Sequence, residues 1–454
     1  MKGSQILIRA ALLGGIVATS AGWAKAQEVT IQDLDQKIRV LERKLEIADE
    51  NAANKAKEAT VVKADKSGFV LSAPDKSFQL KLSGYAQGDA RFFVDDPDEK
   101  STDTFVLRRV RPVLDVTVYK DYAFRLQPDF GGSSPTTQDA YGEYVGVPAF
   151  NVRVGKFKTP LGLEFLQSDS QMLFAERALP TQLVPNRDVG LQFSGDLVGT
   201  TGAVTYALGV FNGAIDGGNS DGDNNDPKDL VARLFLHPFR PAGIESLKNF
   251  GVGIGASVGD QAGTALAPNL PSFKTSGQQT FFAYKASTNA NGTVYADGQR
   301  VRVSPQAYYY LGPFGLLTEY VQSAQDVSTG QAQDTLDNEA WQVSFAYVLT
   351  GEDASFKDVN PLFNFDPSKG HWGAFEVVAR YGELKVDHDA FNTFADPTKS
   401  ARRATSVAGG LNWYLNRNMK LLFDYEQTAF DGGAAKGADR PEEKLLLARA
   451  QFSF

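Results

Sequence analysis

The sequence predicts an all-β fold: a 16-stranded antiparallel transmembrane β-barrel with an inserted constriction loop and a short N-terminal coiled-coil helix. Three observations lead there. From about residue 76 onward, segments of roughly ten residues alternate apolar with polar or small side chains, the period of a barrel strand. No stretch approaches about 18 consecutive apolar residues, so no helix of this chain can span a bilayer. The chain ends on Leu446, Ala448, Ala450, Phe452 and Phe454 at alternate positions, an apolar final strand with a terminal aromatic. A sheet can still cross a membrane when closure pairs every backbone polar group.

Composition narrows the functions. The apolar fraction is 42%, low for a globular core of this length, while 31 Phe and 16 Tyr supply interface girdles. The absence of cysteine excludes disulfides, thiolate metal sites and Cys nucleophiles. The formal net charge is −8, and losing Lys2, Arg9 and Lys25 with a leader makes it −11. Such an acidic balance argues against nucleic acid as a partner.

Residues 1–26 read as a signal peptide. Lys2 and Arg9 precede and enter a short apolar run over 10–18, and Ala24-Lys25-Ala26 gives the small–x–small cleavage pattern. Residues 27–60 read as a heptad helix. Ile31, Leu34, Ile38, Leu41 and Leu45 recur at three and four residues, flanked by charges. A seam this narrow suits a short oligomeric coiled coil, or a helix lying on its own domain. Residues 61–75 read as a linker and 76–454 as the barrel.

Seventeen stretches qualify as strands: 78–94, 104–119, 122–130, 137–146, 150–157, 189–195, 200–211, 229–237, 250–259, 278–285, 300–311, 314–323, 338–349, 372–384, 404–415, 418–430 and 443–454. The alternation is cleanest late in the chain. Trp341, Val343, Phe345 and Tyr347 form one face against Gln342, Ser344 and Ala346. Bacterial barrels have even strand numbers, and 278–285 lies inside a long polar insertion. It is assigned to a loop, which leaves sixteen. The polar stretches 95–103, 212–228, 261–277, 350–370 and 388–403 read as extracellular loops. Tight connections at Leu311-Gly312-Pro313-Phe314 and Asn416-Arg417-Asn418 read as periplasmic turns. The stretch 158–188 holds Phe165, Leu166, Met172, Leu173 and Phe174, too apolar for a solvated loop. It is expected inside the lumen.

Several stretches resemble one family, the phosphate- and polyphosphate-selective porins (porin O/P). They are Leu107-Arg108-Arg109, Tyr122 to Phe130, Asp139 to Val145 and the run Val154-Gly155-Lys156-Phe157-Lys158-Thr159-Pro160-Leu161-Gly162-Leu163-Glu164. Glu176-Arg177, Tyr347-Val348-Leu349-Thr350-Gly351-Glu352 and Gly410-Leu411-Asn412-Trp413-Tyr414 also fit. The resemblance covers roughly 76–454. It implies an exported protein of the Gram-negative outer membrane, in contact with its lipid, forming a homotrimer of 16-stranded barrels. Arg108, Arg109 and Arg177 match pore-lining arginines of an anion path, and Asp139 matches a pore carboxylate. The sequence departs from phosphate-selective members at three places. Phe165 and Ala123 stand where those members have lysines, and 261–277 carries only Lys274 in place of an arginine ladder. A desolvated phosphate needs several convergent cationic donors, so these departures imply weakened phosphate specificity with anion bias retained.

The residues themselves support lumen placement for the cations. Val110, Pro112, Leu114, Val116 and Val118 make the apolar face of their strand, so Arg109 and Arg111 face the lumen. A charge facing lipid at mid-depth costs about 2–4 kcal/mol. These arginines either bias ion passage or pair with Asp115, Asp129 and Asp139, and both can hold together. Arg177 is expected toward the aperture, whereas Arg187 is expected to pin the loop to the wall. His237, His371 and His388 have no ligand spacing, and no Ser or Asp motif beside a His suggests catalysis. The acidic stretches 95–99 and 216–229 read as solvated loops before calcium sites, and Tyr308, Tyr309 and Tyr310 as girdle before sugar slide.

The expected activity is passive diffusion of small hydrophilic solutes and ions, anion-leaning, which requires no cofactor. Alternatives are a structural barrel whose helix tethers the envelope, and a carbohydrate-selective porin.

Overall fold

The computed structural model describes residues 30–58, 60–65, 68–96, 101–199, 201–223, 226–287 and 292–454. The expected leader, 1–26, lies outside them. The chain divides into two compact units, 1–59 and 60–454. The first contains helix α1 (Ile31–Glu58). Its start is a reciprocal cap: the Asp33 amide donates to Thr30 Oγ1 at 3.3 Å, and the Thr30 amide donates to Asp33 Oδ2 at 3.2 Å. The seam residues Leu34, Ile38, Leu41 and Leu45 are exposed, so the helix presents an apolar stripe. Among the described residues, no helix is long and apolar enough to cross a membrane.

The second unit begins with two short strands, β1 (Val61–Asp65) and β2 (Gly68–Ser72). The first run of wall strands is β3 (Phe78–Phe93), β4 (Thr104–Val118), β5 (Tyr122–Asp129), β6 (Thr136–Val147), β7 (Phe150–Lys158), β8 (Arg187–Asp196), β9 (Val204–Phe211), β10 (Asp229–Leu236) and β11 (Phe250–Ala262). A detached pair follows, β12 (Ser272–Lys274) and β13 (Thr280–Ala283). The wall resumes as β14 (Tyr295–Leu311), β15 (Phe314–Ser328), β16 (Gln333–Val348), β17 (Ala374–Lys385), β18 (Ala401–Tyr414), β19 (Met419–Gly432) and β20 (Glu443–Ser453). Sixteen antiparallel strands close when β20 returns to β3 through Leu447↔Arg91 and Ala450↔Gly88. Closure removes the unpaired edges that an open sheet would show.

The expected faces hold along the wall. On β18, Val407 and Trp413 face outward while Ser406, Asn412 and Tyr414 are buried inside. On β20, Leu446 and Phe452 are exposed while Leu447, Arg449 and Gln451 are buried. As expected, 278–285 contributes no wall strand, and β13 pairs only with β12.

Three expectations need correction. The stretch 61–75 is not simply a linker, because β1 and β2 form a hairpin within it. β3 runs past the end of β20, and β2 pairs with the stretch Gln79–Leu82 that would otherwise be an open edge. Gly68 has φ +116° there, and a Cβ would lie 2.3 Å from the Leu82 carbonyl oxygen, so only glycine fits. Second, β14, β15 and β16 extend beyond their apolar alternation, to Tyr295, Ser328 and Gln333. Their outward residues there include Asp297, Gln299, Asp326, Thr335 and Asp337, so no apolar signal marks the continued ladder.

Third, the connection 350–370 is not extracellular. It leaves the wall beside the short turns and the chain end: the Ala354 amide donates to Gly312 O at 2.8 Å, and the Phe365 amide to Leu415 O at 2.7 Å. That end carries the Gly312-Pro313 turn, so 350–370 is a long periplasmic segment. Part of it turns inward, with Ala354 and Val359 packed on Tyr310 and Tyr414.

The lumen is partly filled. The loop after β7 runs through it, and buried Phe273, Phe281 and Phe282 bring the β12–β13 hairpin into the same interior cluster as Phe157, Leu183 and Val184.

Candidate functional site in the barrel lumen

The loop between β7 and β8 crosses the lumen, as its apolar composition demands. A short helix, α2 (Leu163–Leu166), starts the crossing. Glu319 of β15 accepts the Leu163 amide at 2.6 Å and the Glu164 amide at 3.2 Å. Gln342 of β16 donates to Glu164 Oε2 at 2.9 Å. Further along, Asn412 of β18 donates to Leu173 O, Asp424 of β19 accepts the Ala175 amide, and Gln451 of β20 donates to Ser170 O. A segment that leaves one wall and bonds β15, β16, β18, β19 and β20, with Gln306 of β14 and Arg380 of β17 donating to its carbonyls as well, has little freedom to swing. Its buried backbone groups find partners on the wall, as groups removed from water must.

The polar half of the loop faces a cluster of arginines. Glu176 accepts from Arg108 Nε at 2.5 Å and Nη2 at 3.1 Å, a two-pronged contact. Arg91 of β3 reaches it at 3.1 Å and Arg449 of β20 at 3.4 Å. Arg449 also grips Asp89 at 2.6 Å. Seven residues before Glu176 in the loop, Asp169 accepts from Arg111 Nη1 at 2.5 Å and bonds Arg177; Arg109 lies 3.5 Å and Arg187 3.8 Å away. Burial alone would raise the carboxyl of Asp169, but Arg177, Arg111 and Arg109 outweigh it and hold it well below the usual carboxylate range. Glu176 is displaced the same way, burial being overcome by Arg108 and Arg109. Both carboxylates therefore stay ionised.

Each residue singled out from the sequence has a definite place. Arg109 and Arg111 point into the lumen and are buried. Strict alternation would send Arg108 outward. However, the register shifts between Gln87↔Arg109 and Gly88↔Leu107, a bulge that leaves Arg108 free to reach Glu176. Arg111 pairs with Asp129 at 2.6 Å, whereas Asp115 pairs with Arg125 instead. Asp139 is buried against Arg187 Nε at 2.8 Å. Arg177 lies inside the loop, donating to the carbonyls of Glu164 and Gln167 as well as to Asp169. Its guanidinium covers the ring of Phe165 at 5.1 Å.

Arg91, Arg449 and Asp169 were not among the residues the sequence singled out, and Glu176 entered only through the Glu176-Arg177 stretch of the family resemblance, with no pore role given to it. Arg449 had a signal, a cation between Ala448 and Ala450 on the final strand. Asp169 had none, because a loop has no period.

Between the loop and the mouth lies a cavity of about 600 Å³ bordered by Arg91, Arg108, Arg109, Arg111, Arg177 and Lys274, with Phe165 in its lining. Its carboxylates include Asp129, Asp169 and Glu176. Arg91 Nε and Arg109 Nε have no hydrogen-bond acceptor. On the wall across from this cluster, Arg302 bonds Asp216 at 2.6 Å and Asp229 at 2.9 Å, which ties down the inward part of the loop after β9.

The sequence model described as "Phosphate-selective porin O and P" matches residues 78–454. No protein with a curated description matches. Among solved structures, the outer membrane channel DcaP of Acinetobacter baumannii aligns at TM-score 0.54 and 13% identity, covering 83% of this chain and 98% of that one. The anion-selective porin from Comamonas acidovorans aligns at 0.52 and 11%, covering 83% and 100%. Outer-membrane expressed OmpT of Vibrio cholerae aligns at 0.51 and 12%, covering 83% and 98%. These likenesses share the barrel fold. With the family match running from the first wall strand to the last residue, the chain belongs to the phosphate-selective porin O and P family and is an outer-membrane β-barrel porin.

Proposed function

We propose that this porin passes small hydrophilic solutes and ions passively, favours anions, and works as a homotrimer after cleavage of the leader 1–26. The cavity of about 600 Å³ carries the reading: Arg91, Arg108, Arg109, Arg111, Arg177 and Lys274 border it. Cations lining a narrow, partly dehydrated passage lower the entry cost for anions. The wall carboxylates oppose this, so the preference is moderate.

Tight capture of phosphate is a poorer reading. Arg108, Arg111 and Arg177 already hold carboxylates, and Phe165 fills the place beside Arg177. A phosphate stripped of water needs several free donors. A sugar path along Tyr308 and Tyr310 is also disfavoured. Tyr308 stacks on Phe356 at 4.8 Å, and Tyr310 is buried.

Reversal potential across a potassium chloride gradient tests the proposal. Chloride should pass more readily than potassium, and phosphate should block chloride current only at high concentration. Phe165→Lys should strengthen that block by on the order of tenfold, about the effect of one added charge-assisted contact. Cation preference in the wild-type pore would overturn the reading.

A further inference from the structure

The two loop carboxylates have a consequence beyond holding the loop in place. Asp169 and Glu176 are not solvated rim charges. Each is almost wholly buried, and each lies where guanidiniums from different parts of the chain converge. Glu176 meets Arg91 of β3, Arg108 of β4 and Arg449 of β20, while Asp169 meets Arg111 of β4 and Arg177 of the loop itself. A permeating anion entering the cavity would seek those same donors. The positions are already taken by anions attached to the chain.

We infer that Asp169 and Glu176 are tethered counter-anions that set the selectivity of the pore: they occupy the arginine cluster and limit how strongly a mobile anion is drawn into it. This rests on the anion-leaning passive pore proposed above. The bidentate Arg108–Glu176 contact supports it, as do the Nε atoms of Arg91 and Arg109, which lack a hydrogen-bond acceptor although Arg109 Nε lies 3.5 Å from Asp169. The cluster has donors to spare, but its strongest directions are spent on the loop. A loop built only for packing could use apolar contacts, as it does at Leu161, Leu163 and Phe174.

The test is the chloride-to-potassium permeability ratio of the full-length porin in planar bilayers. Glu176→Gln should raise it by roughly threefold, the effect expected of removing one partly screened charge from a narrow lumen. Asp169→Asn should act in the same direction. Arg108→Gln should lower the ratio, and because Arg91 and Arg449 still hold Glu176, that variant keeps the loop anchored. The pair Arg108→Gln with Glu176→Gln should return close to wild type. Glu176→Asp, which keeps the charge but shifts the contact, should leave the ratio unchanged even if conductance moves. A loop that serves packing alone changes conductance and current noise in these variants without ordering their ratios by charge. Ratios that do not follow charge, in variants with normal current steps, would overturn the inference. Absence of steps in the wild type would overturn the passive-pore reading instead.

Discussion

Asp169 meets Arg111 at 2.5 Å and Glu176 meets Arg108 at the same distance, both almost wholly buried in the lining of the cavity. A carboxylate whose folded pKa is depressed stabilises the folded state above its unfolded pKa, and that stability fades only as pH falls through the folded value. The unfolded references are 4.5 for Glu176 and 3.8 for Asp169, and both folded values lie below them. Amide exchange protection over 163–178 should therefore persist from neutral pH down through 4.5 and 3.8, and fall only in stronger acid. Loss of protection already at pH 6 would show that these ion pairs do not anchor the loop. Arg109 and Arg111 were legible from the sequence because they oppose an apolar face. Arg108 was not placed by alternation, since a bulge of one residue shifts which side it reaches. Asp169 and Glu176 depend on where the loop lands, which only the closed wall decides.

At the scale of elements, the wall was legible and the connections were less so. Wall strands carry lipid on one side and lumen on the other, which writes period two into the sequence. The five-residue strands β1 and β2 form because β3 outlasts β20, a fact of register that no short polar segment reveals. The segment 350–370 was misplaced because its length and polarity resemble an outer loop. Counting strands would have served better, since connections alternate between the two ends of an up-and-down barrel. Part of this segment packs against lumen-side residues of the wall and the inserted loop. Lys420 holds Asp358 at 3.0 Å, Phe356 stacks on Tyr308, and Gln167 of the inserted loop donates to Phe356 O at 2.5 Å. Deleting residues 353–361 should raise single-channel conductance by on the order of twofold while leaving ion preference nearly unchanged, as expected for widening away from the charged cluster. Unchanged conductance would mean the segment lies clear of the ion path.

For the whole molecule, the exposed stripe of Leu34, Ile38, Leu41 and Leu45 asks for a partner, and three such helices would satisfy it in a trimer. Removing residues 30–58 should leave barrel strands intact by circular dichroism but lower the temperature at which the proposed trimers separate on gels. Equal trimer stability with and without the helix would point to a partner other than this chain. The central claim is larger than any of these: side chains from β3 to β20 divide lipid from an enclosed aqueous path that conducts. Planar bilayer recording of the purified porin tests it most directly. Uniform, stepwise conductance increases with an ohmic open level are expected. A protein that inserts as a folded barrel yet leaves the membrane electrically silent would contradict the account.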